Sequence, residues 1–425
     1  MTTEQLQRWE KSLADDYLFH QALSLNIDLT RGKPSSEQLA LSDKLDGILA
    51  GDYMAVDGTD TRNYGGLEGL MEARQLGADM LGVPAKNVLA QGNSSLTLMH
   101  QAVYTGLEAG FDGADSAWKH AGNIKFICPS PGYDRHFTVC EQMGIEMIAV
   151  PMTATGPDMD QVEHLLANDP QIKGMWCVPK YSNPTGIIYN EETVKRIAKL
   201  GAIAGGGFRV FWDNAYAVHD LTEAPRALAN IMHHCTHYGT EDSVIQFAST
   251  SKITHAGSGI AFIAASASNL TAFKKVLSCL TIGPDKVNQL RHMRLLPNYN
   301  ALLVHMQKHA ALLRPRFTCV LRHLQEAFDD NDLGQWQNPT GGYFIAFDTQ
   351  PGLAKTVVTL AAEAGVKLTH AGATFPYGND PQDRNIRIAP SVPSLEELES
   401  AMKVFVTCVK LASVRQQLEQ LDQGR

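Results

Sequence analysis

The stretch from Gly174 to Tyr216 decides the fold. It opens on the apolar run Gly174-Met-Trp-Cys-Val178 and crosses the turn-rich Lys180-Tyr-Ser-Asn-Pro-Thr-Gly186. A helix-length segment then leads back to an apolar run in Arg209-Val-Phe-Trp-Asp-Asn-Ala-Tyr216. A short continuous apolar run, a helix and a second such run is the signature of two parallel strands buried on both faces. The same alternation extends outward from about residue 85 to 265, through Val88–Ala90, Ile124–Cys128, Met147–Val150, Val244–Phe247 and Gly259–Ala264. Seven strands separated by helices predict an α/β fold with a seven-stranded, mainly parallel sheet covered by helices on both faces. Before it, residues 1–25 carry Leu6, Trp9, Leu13, Tyr17 and Leu18 at helical spacing, and a polar connecting helix is expected through about Ala50. After residue 268 come about 60 helical residues, Gly341-Gly-Tyr-Phe-Ile-Ala-Phe347, a helix near Gly352–Ala364, Arg384–Ile388 and a last helix from Leu395. These ends predict a smaller α+β domain. The expected division is 1–50 for the N-terminal arm and part of the small domain, 51–300 for the large domain, and 301–425 for the rest of the small domain.

At 425 residues, with 44% hydrophobic and 19% charged residues, the chain has the composition of a folded globular protein. Its 36 Lys+Arg against 45 Asp+Glu leave a net charge of −9, which excludes a broad basic face for nucleic acid or anionic lipid. The seven cysteines include no C-x-x-C pair and read as reduced core thiols, without disulfides or metal ligation. Met1 to Asp16 is polar and acidic, unlike a secretory signal, and no run approaches a membrane span. A cytoplasmic location is expected.

In such sheets, ligands collect where strands end and helices begin. Gln91-Gly-Asn-Ser-Ser-Leu-Thr97 follows a strand and opens a helix. Its amides, hydroxyls and positive dipole end suit a phosphate, although Asn and Ser there also serve as simple N-caps. Asn183-Pro-Thr-Gly186 is turn chemistry at another strand end. Asp213 ends a strongly apolar strand and must meet a cation, a hydrogen-bond network or a helix to cap. Lys252, in Ala248-Ser-Thr-Ser-Lys252, ends a further strand, where desolvation makes a neutral, nucleophilic amine available. An amine, an acid, ring-hydroxyl donors and a phosphate cup at successive strand ends are what an aldehyde cofactor with a pyridine ring and a phosphate requires.

At this point the chain resembles the fold type I pyridoxal-phosphate-dependent class I aminotransferases, and within them the type Ic aspartate aminotransferases. The resemblance runs from Arg31-Gly-Lys-Pro34 to Arg387-Ile-Ala-Pro390. It rests on Tyr64-Gly-Gly-Leu67, Pro131-Gly-Tyr133, Asn183-Pro-Thr-Gly186, Asp213-Asn-Ala-Tyr216, Ser249-Thr-Ser-Lys252 and Arg387 in combination. It implies pyridoxal 5'-phosphate bound covalently by Lys252, which also moves the substrate proton, in ping-pong amino transfer between L-aspartate and 2-oxoglutarate. It further implies that Asp213 pairs with the pyridine N–H, that Asn183 and Tyr216 bond the ring hydroxyl, and that Tyr133 stacks on the ring. Asn93, Ser94, Ser95, Ser249 and Ser251 become phosphate contacts, with Tyr64 reaching across a homodimer interface. Gly32, Asn183 and Arg387 become substrate contacts, Arg387 as a bidentate fork on the α-carboxylate. No metal is implied.

The family's phosphate-binding arginine, in a Gly-x-Arg-x-Gly setting, is replaced here by Ala256-Gly-Ser-Gly259. The type Ic subgroup also has a small residue at this place. The distal substrate carboxylate has several candidate partners: Arg31, Lys33, His255, or a partner-subunit residue such as Arg291 or Arg294. Competing readings are weaker. Ser249-x-x-Lys252 lacks the companion motifs of penicillin-recognising enzymes, and Gly205-Gly-Gly207 precedes a strand, so it is no dinucleotide loop. An aminotransferase-like, non-catalytic ligand-binding protein of the regulator type would need a DNA-binding domain that the short arm cannot supply. Lyase chemistry on the same fold stays open.

Overall fold

The computed structural model describes residues 1–424; Arg425, the last residue of the expected 301–425 segment, lies outside the described residues. The chain begins with α1 (Thr3–Ala22), started by a capping box in which the Thr2 hydroxyl accepts from the Gln5 amide and the Gln5 side chain accepts from that of Thr2. β1 (Ile27–Asp28) and α2 (Ser36–Ala40) follow. The connecting helix expected through residue 50 therefore shrinks to α2 and a 3-10 turn at Asp43–Leu45. Gly47, Ala50 and Gly51 adopt positive φ, which no right-handed helix can continue.

From α3 (Met71–Leu81) and β2 (Val88–Gln91) the alternation sets in: α4 (Ser95–Tyr104), β3 (Lys125–Ser130), α5 (Asp134–Gln142), β4 (Glu146–Thr153), β5 (Gly156–Pro157), α6 (Met159–Asn168), β6 (Ile172–Cys177), α7 (Glu191–Ala204), β7 (Arg209–Asp213), α8 (Ile231–Tyr238), β8 (Val244–Ser249) and β9 (Ala261–Ala265). These strands form one sheet in the order β2-β9-β8-β7-β6-β3-β4-β5. The pairs β8/β7, β7/β6, β6/β3 and β3/β4 are parallel, whereas β9 runs antiparallel to both its neighbours. All seven expected strands are present. The count is corrected to eight by β5, whose two residues fold back on Met152 and Thr153 and are too short to leave an apolar run. Both faces of the sheet are buried, because successive side chains point to opposite sides. On β7, Phe211 packs with Trp118, Phe126 and Phe247, while Val210 and Trp212 pack against Val194 and Ile197 of α7.

Three helices, α9 (Ala267–Leu280), α10 (Lys286–Leu295) and α11 (Tyr299–Phe328), lead to the smaller α+β part: β10 (Gly334–Trp336), β11 (Ile345–Thr349), α12 (Ala354–Glu363), β12 (Val366–Lys367), β13 (Asn385–Ile388) and α13 (Leu395–Asp422). β10, β11 and β13 make an antiparallel sheet, and β1 pairs in parallel with β12, so both chain ends build this part. Its core joins Leu6, Leu13 and Tyr17 of α1 to Phe347, Val357 and Phe405. Six of the cysteines are buried free thiols; Cys279 is exposed, so it departs from the expected core placement. No helix among the described residues is long and apolar enough to cross a membrane.

Candidate active site

Asp213 is the last residue of β7 and is buried, at 2% exposure. One carboxylate oxygen, Oδ2, lies 3.0 Å from His136 Nε2; the other, Oδ1, is buried with no partner. Its carboxylate accepts no backbone N–H among the described residues, so it caps nothing. A buried anion with a free oxygen is costly unless a cationic donor meets it, and a protonated ring nitrogen is such a donor. His136, on α5, was not singled out by the sequence reading. It is held by stacking on Trp176, with ring centres 4.3 Å apart and planes 8° from parallel.

Lys252 follows β8, and its Nζ lies 4.9 Å from the centre of the Tyr216 ring. Tyr216 is buried, and its phenol is held protonated by burial and then by the charge of Asp213. Burial likewise pushes the Tyr133 phenol up to about 12. Asn183 is 3% exposed, and its Oδ1 accepts from Arg387 Nη1 at 3.3 Å, which leaves its amide hydrogens for another acceptor.

On the opposite rim, the ends of β2 and β8 meet. Ser94 N-caps α4, its hydroxyl accepting from the Thr97 amide, and Ser95 is the first helical residue. The Ser249 hydroxyl donates to the main-chain oxygen of Asn93 at 3.1 Å, and the Ser251 hydroxyl donates to the same atom. Five polar residues are thus gathered beside a helix N-terminus, whose unpaired amides and dipole favour an anion. At Gly259 a Cβ would come within 2.9 Å of the Ser251 amide, so this close approach needs glycine. Next to Asn93 a recess of about 290 Å³ is lined by Gly92, Ser258, Asp285 and Arg291.

A cavity of about 510 Å³ has Lys252, Tyr133, Tyr216, Asn183 and Arg387 on its wall. Arg387 lies within β13. Its Nη1 also donates to Asp134 Oδ1 at 3.1 Å and its Nη2 to Thr369 Oγ1 at 3.2 Å, while Nε is buried without a partner. The guanidinium lies 4.8 Å over the Phe344 ring. The Gly32 loop presses on the same residue: a Cβ at 32 would stand 2.5 Å from Phe344 Cζ. Arg31 and Lys33 line the cavity, as do Arg135 and His370, which the sequence reading missed. None of the other candidate clamps lines the cavity of its own chain: His255 faces Asp43 at 3.6 Å, and Arg294 and Arg291, which were expected to act from a partner subunit, meet Asp52 at 2.8 Å and the Leu45 carbonyl at 2.9 Å. Tyr64 is 82% exposed and off the cavity of its own chain.

Away from this site, Cys319, His323 and Glu399 are close enough together to hold a metal. They are bonded to one another, with His323 Nε2 2.7 Å from Glu399 and Arg322 paired to the same carboxylate.

The family model described as aspartate amino-transferase matches residues 1–421. An aspartate aminotransferase of Corynebacterium glutamicum is 47% identical over 391 residues, covering 92% of this chain and 90% of its own. The crystal structure of an aspartate transaminase from the same organism superposes with a TM-score of 0.94 at 44% identity, over 98% of each chain. The fold, though not the sequence, extends to an α-aminoadipate aminotransferase of Thermus thermophilus complexed with N-(5'-phosphopyridoxyl)-L-leucine, at a TM-score of 0.73 and 20% identity over 96% of this chain and 95% of that one. With strand ends, helix N-terminus and cavity arranged as above, the chain belongs to the aspartate aminotransferase family, within class I of the fold type I pyridoxal-phosphate enzymes.

Proposed function

We propose that this protein is a pyridoxal-phosphate-dependent L-aspartate:2-oxoglutarate aminotransferase of the type Ic subgroup, working as a homodimer in the cytoplasm. The observation that carries the reading is that Lys252 shares a cavity wall with Tyr216 and with Arg387, whose buried Nε has no partner, while Asp213, whose buried Oδ1 has none either, ends the neighbouring strand β7 and acts by its charge on Tyr216. When bound, pyridoxal phosphate supplies an aldehyde that captures the amino group and a cationic ring that accepts the electron pair left when Cα loses its proton. Lys252 holds the cofactor and carries the Cα proton. Asp213, braced by His136, keeps a proton on the ring nitrogen. Asn183 and Tyr216 donate to the ring hydroxyl, and Tyr133 covers the ring face. Asn93, Ser94, Ser95, Ser249 and Ser251 hold the phosphate, with Tyr64 supplied by the second subunit. Arg387 grips the α-carboxylate beside the Gly32 loop.

The substrate class follows from charge. Arg31, Lys33, Arg135 and Arg387 line the cavity against a single carboxylate, Asp134. Arg31, Lys33 and Arg135 are exposed and solvated, so an apolar side chain gains nothing from them, whereas the distal carboxylate of a dicarboxylic acid gains a charge-assisted partner at the same rim. The site sits where residues 51–300 meet the small domain contributed by 1–50 and 301–425. Side-by-side kcat/KM measurements test the assignment: aspartate and glutamate should exceed alanine and leucine by about tenfold or more. Preference for apolar amino acids would remove the aspartate assignment and leave the family standing.

A further inference from the structure

The main-chain carbonyl of Lys252 is held by two buried side chains. His219 Nε2 lies 3.3 Å from it, and the Tyr343 hydroxyl donates to it at 3.5 Å. Tyr343 in turn accepts from Gln38 Nε2 at 2.9 Å, and the same amide nitrogen lies 3.0 Å from His309 Nδ1. His309 Nε2 faces His305 Nε2 at 3.2 Å, and that same atom lies 2.8 Å from the carbonyl of Ile253; a neutral ring nitrogen either accepts from His309 or donates to Ile253, so this arm ends at the histidine pair. One continuous route therefore runs from Gln38, through the Tyr343 hydroxyl, to the peptide of Lys252.

The orientation of that amide is fixed. Its oxygen accepts from the Ser35 N–H at 3.1 Å in the capping box of α2, so the nitrogen must face Tyr343 and His309 and spends one hydrogen on each. Gln38 and His309 are 0% exposed and Tyr343 is 1% exposed. A buried polar chain of this length is costly unless every member is bonded, and apolar side chains would fill the same space more cheaply. The segment that carries Gln38 continues directly from the Thr30–Lys33 loop. That loop lines the substrate cavity and is tied to Arg387 through the Thr30 carbonyl and to Ser391 through the Lys33 carbonyl.

We propose that Gln38 is a positioning residue which, through Tyr343, couples the substrate loop to the peptide of Lys252. The inference rests on the reading that Lys252 carries the cofactor. Its logic is geometric: the backbone at 252 fixes where the amine begins, and its carbonyl is anchored to the element that also meets the substrate carboxylate.

Three variants test it: Gln38→Glu, Tyr343→Phe and their combination. Glu at 38 preserves the Ser35 capping box and so α2, yet it cannot donate to Tyr343 and His309. Tyr343→Phe removes only the hydroxyl link. Each single variant is expected to lower kcat about tenfold with little change in KM for aspartate, the loss expected of one buried hydrogen bond to a positioning group. Each should also move the pH midpoint of the visible absorbance of the Lys252-bound cofactor, measured without substrate, by about half a unit or more. Because Gln38 acts partly through Tyr343, the double variant should fall short of the product of the two single losses. Unchanged kcat and absorbance midpoint in folded variants, or fully multiplicative losses, would overturn the coupling. Failure of the underlying assignment looks different: the unmutated protein itself would then show no visible cofactor band on Lys252.

Discussion

Replacing Asp213 with Asn changes one charge and almost no volume, and its expected effect can be worked from the contacts of the carboxylate. Oδ2 faces His136 Nε2 at 3.0 Å, and Oδ1 has no partner in the protein. In the variant, the amide oxygen satisfies His136 and the amide nitrogen takes the place of Oδ1, offering a hydrogen where a lone pair is needed. The ring nitrogen then has no reason to stay protonated. At a hydrogen-bond separation of about 3 Å and an effective dielectric constant of about 20, the lost charge pair is worth roughly 5 kcal/mol. If about half of that reaches the barrier for Cα deprotonation, the half-reaction slows roughly 100-fold, and a full transfer gives nearly 10⁴. Stability should change little, because a buried carboxylate is itself costly to desolvate. The assay is a single-turnover reaction of the cofactor-loaded variant with saturating aspartate, followed by the visible absorbance, alongside a urea melt. A half-reaction within about threefold of the unmutated rate, with cofactor bound, would refute the argument and reduce Asp213 to a structural partner of His136.

Two further outcomes are expected. His292 and His309 are pushed down to about 4 from an ordinary 6.5, mainly by burial, so both are neutral in the folded state. Their stabilisation is complete above about pH 6.5 and is lost as pH falls toward 4, by up to roughly 3 kcal/mol each, because the unfolded chain takes up the protons first. Urea midpoints should therefore drop between pH 7 and 5, less so in His292→Gln, and equal midpoints would contradict the burial argument. Mixing Tyr64→Phe and Lys252→Ala subunits under exchange should restore activity through hybrid sites holding both native residues; no recovery once heterodimers are shown to form would count against a shared site.

The parallel sheet was legible because each strand is a continuous apolar run, a pattern that burial on both faces demands. β5 was not, since two residues paired across a turn carry no periodicity. The connecting helix was overextended because a polar sequence permits a helix that the positive φ values at Gly47, Ala50 and Gly51 forbid. In the site, Lys252, Asp213 and Asn183 were visible as polar residues closing apolar strands. His136 was not, because a histidine within α5 gives no local sign that its ring reaches Asp213, 77 positions away. Arg135 and His370 share the cavity with Arg31 and Lys33 only through tertiary packing, and the burial of Gln38 at 0% exposure contradicts what its polarity suggests. Residues that support other residues are selected by three-dimensional neighbours, and spacing along the chain does not report them.

The central claim is that Lys252 holds the cofactor at the end of β8. Borohydride reduction of the purified protein, followed by proteolysis and mass spectrometry, tests it most directly, because reduction locks the linkage and the fragment masses place it on one side chain. The structure predicts a pyridoxyl adduct on the peptide containing Ser249-Thr-Ser-Lys252, carried by Lys252. An adduct on any other lysine, or none on a protein that retains aminotransferase activity, would contradict the account.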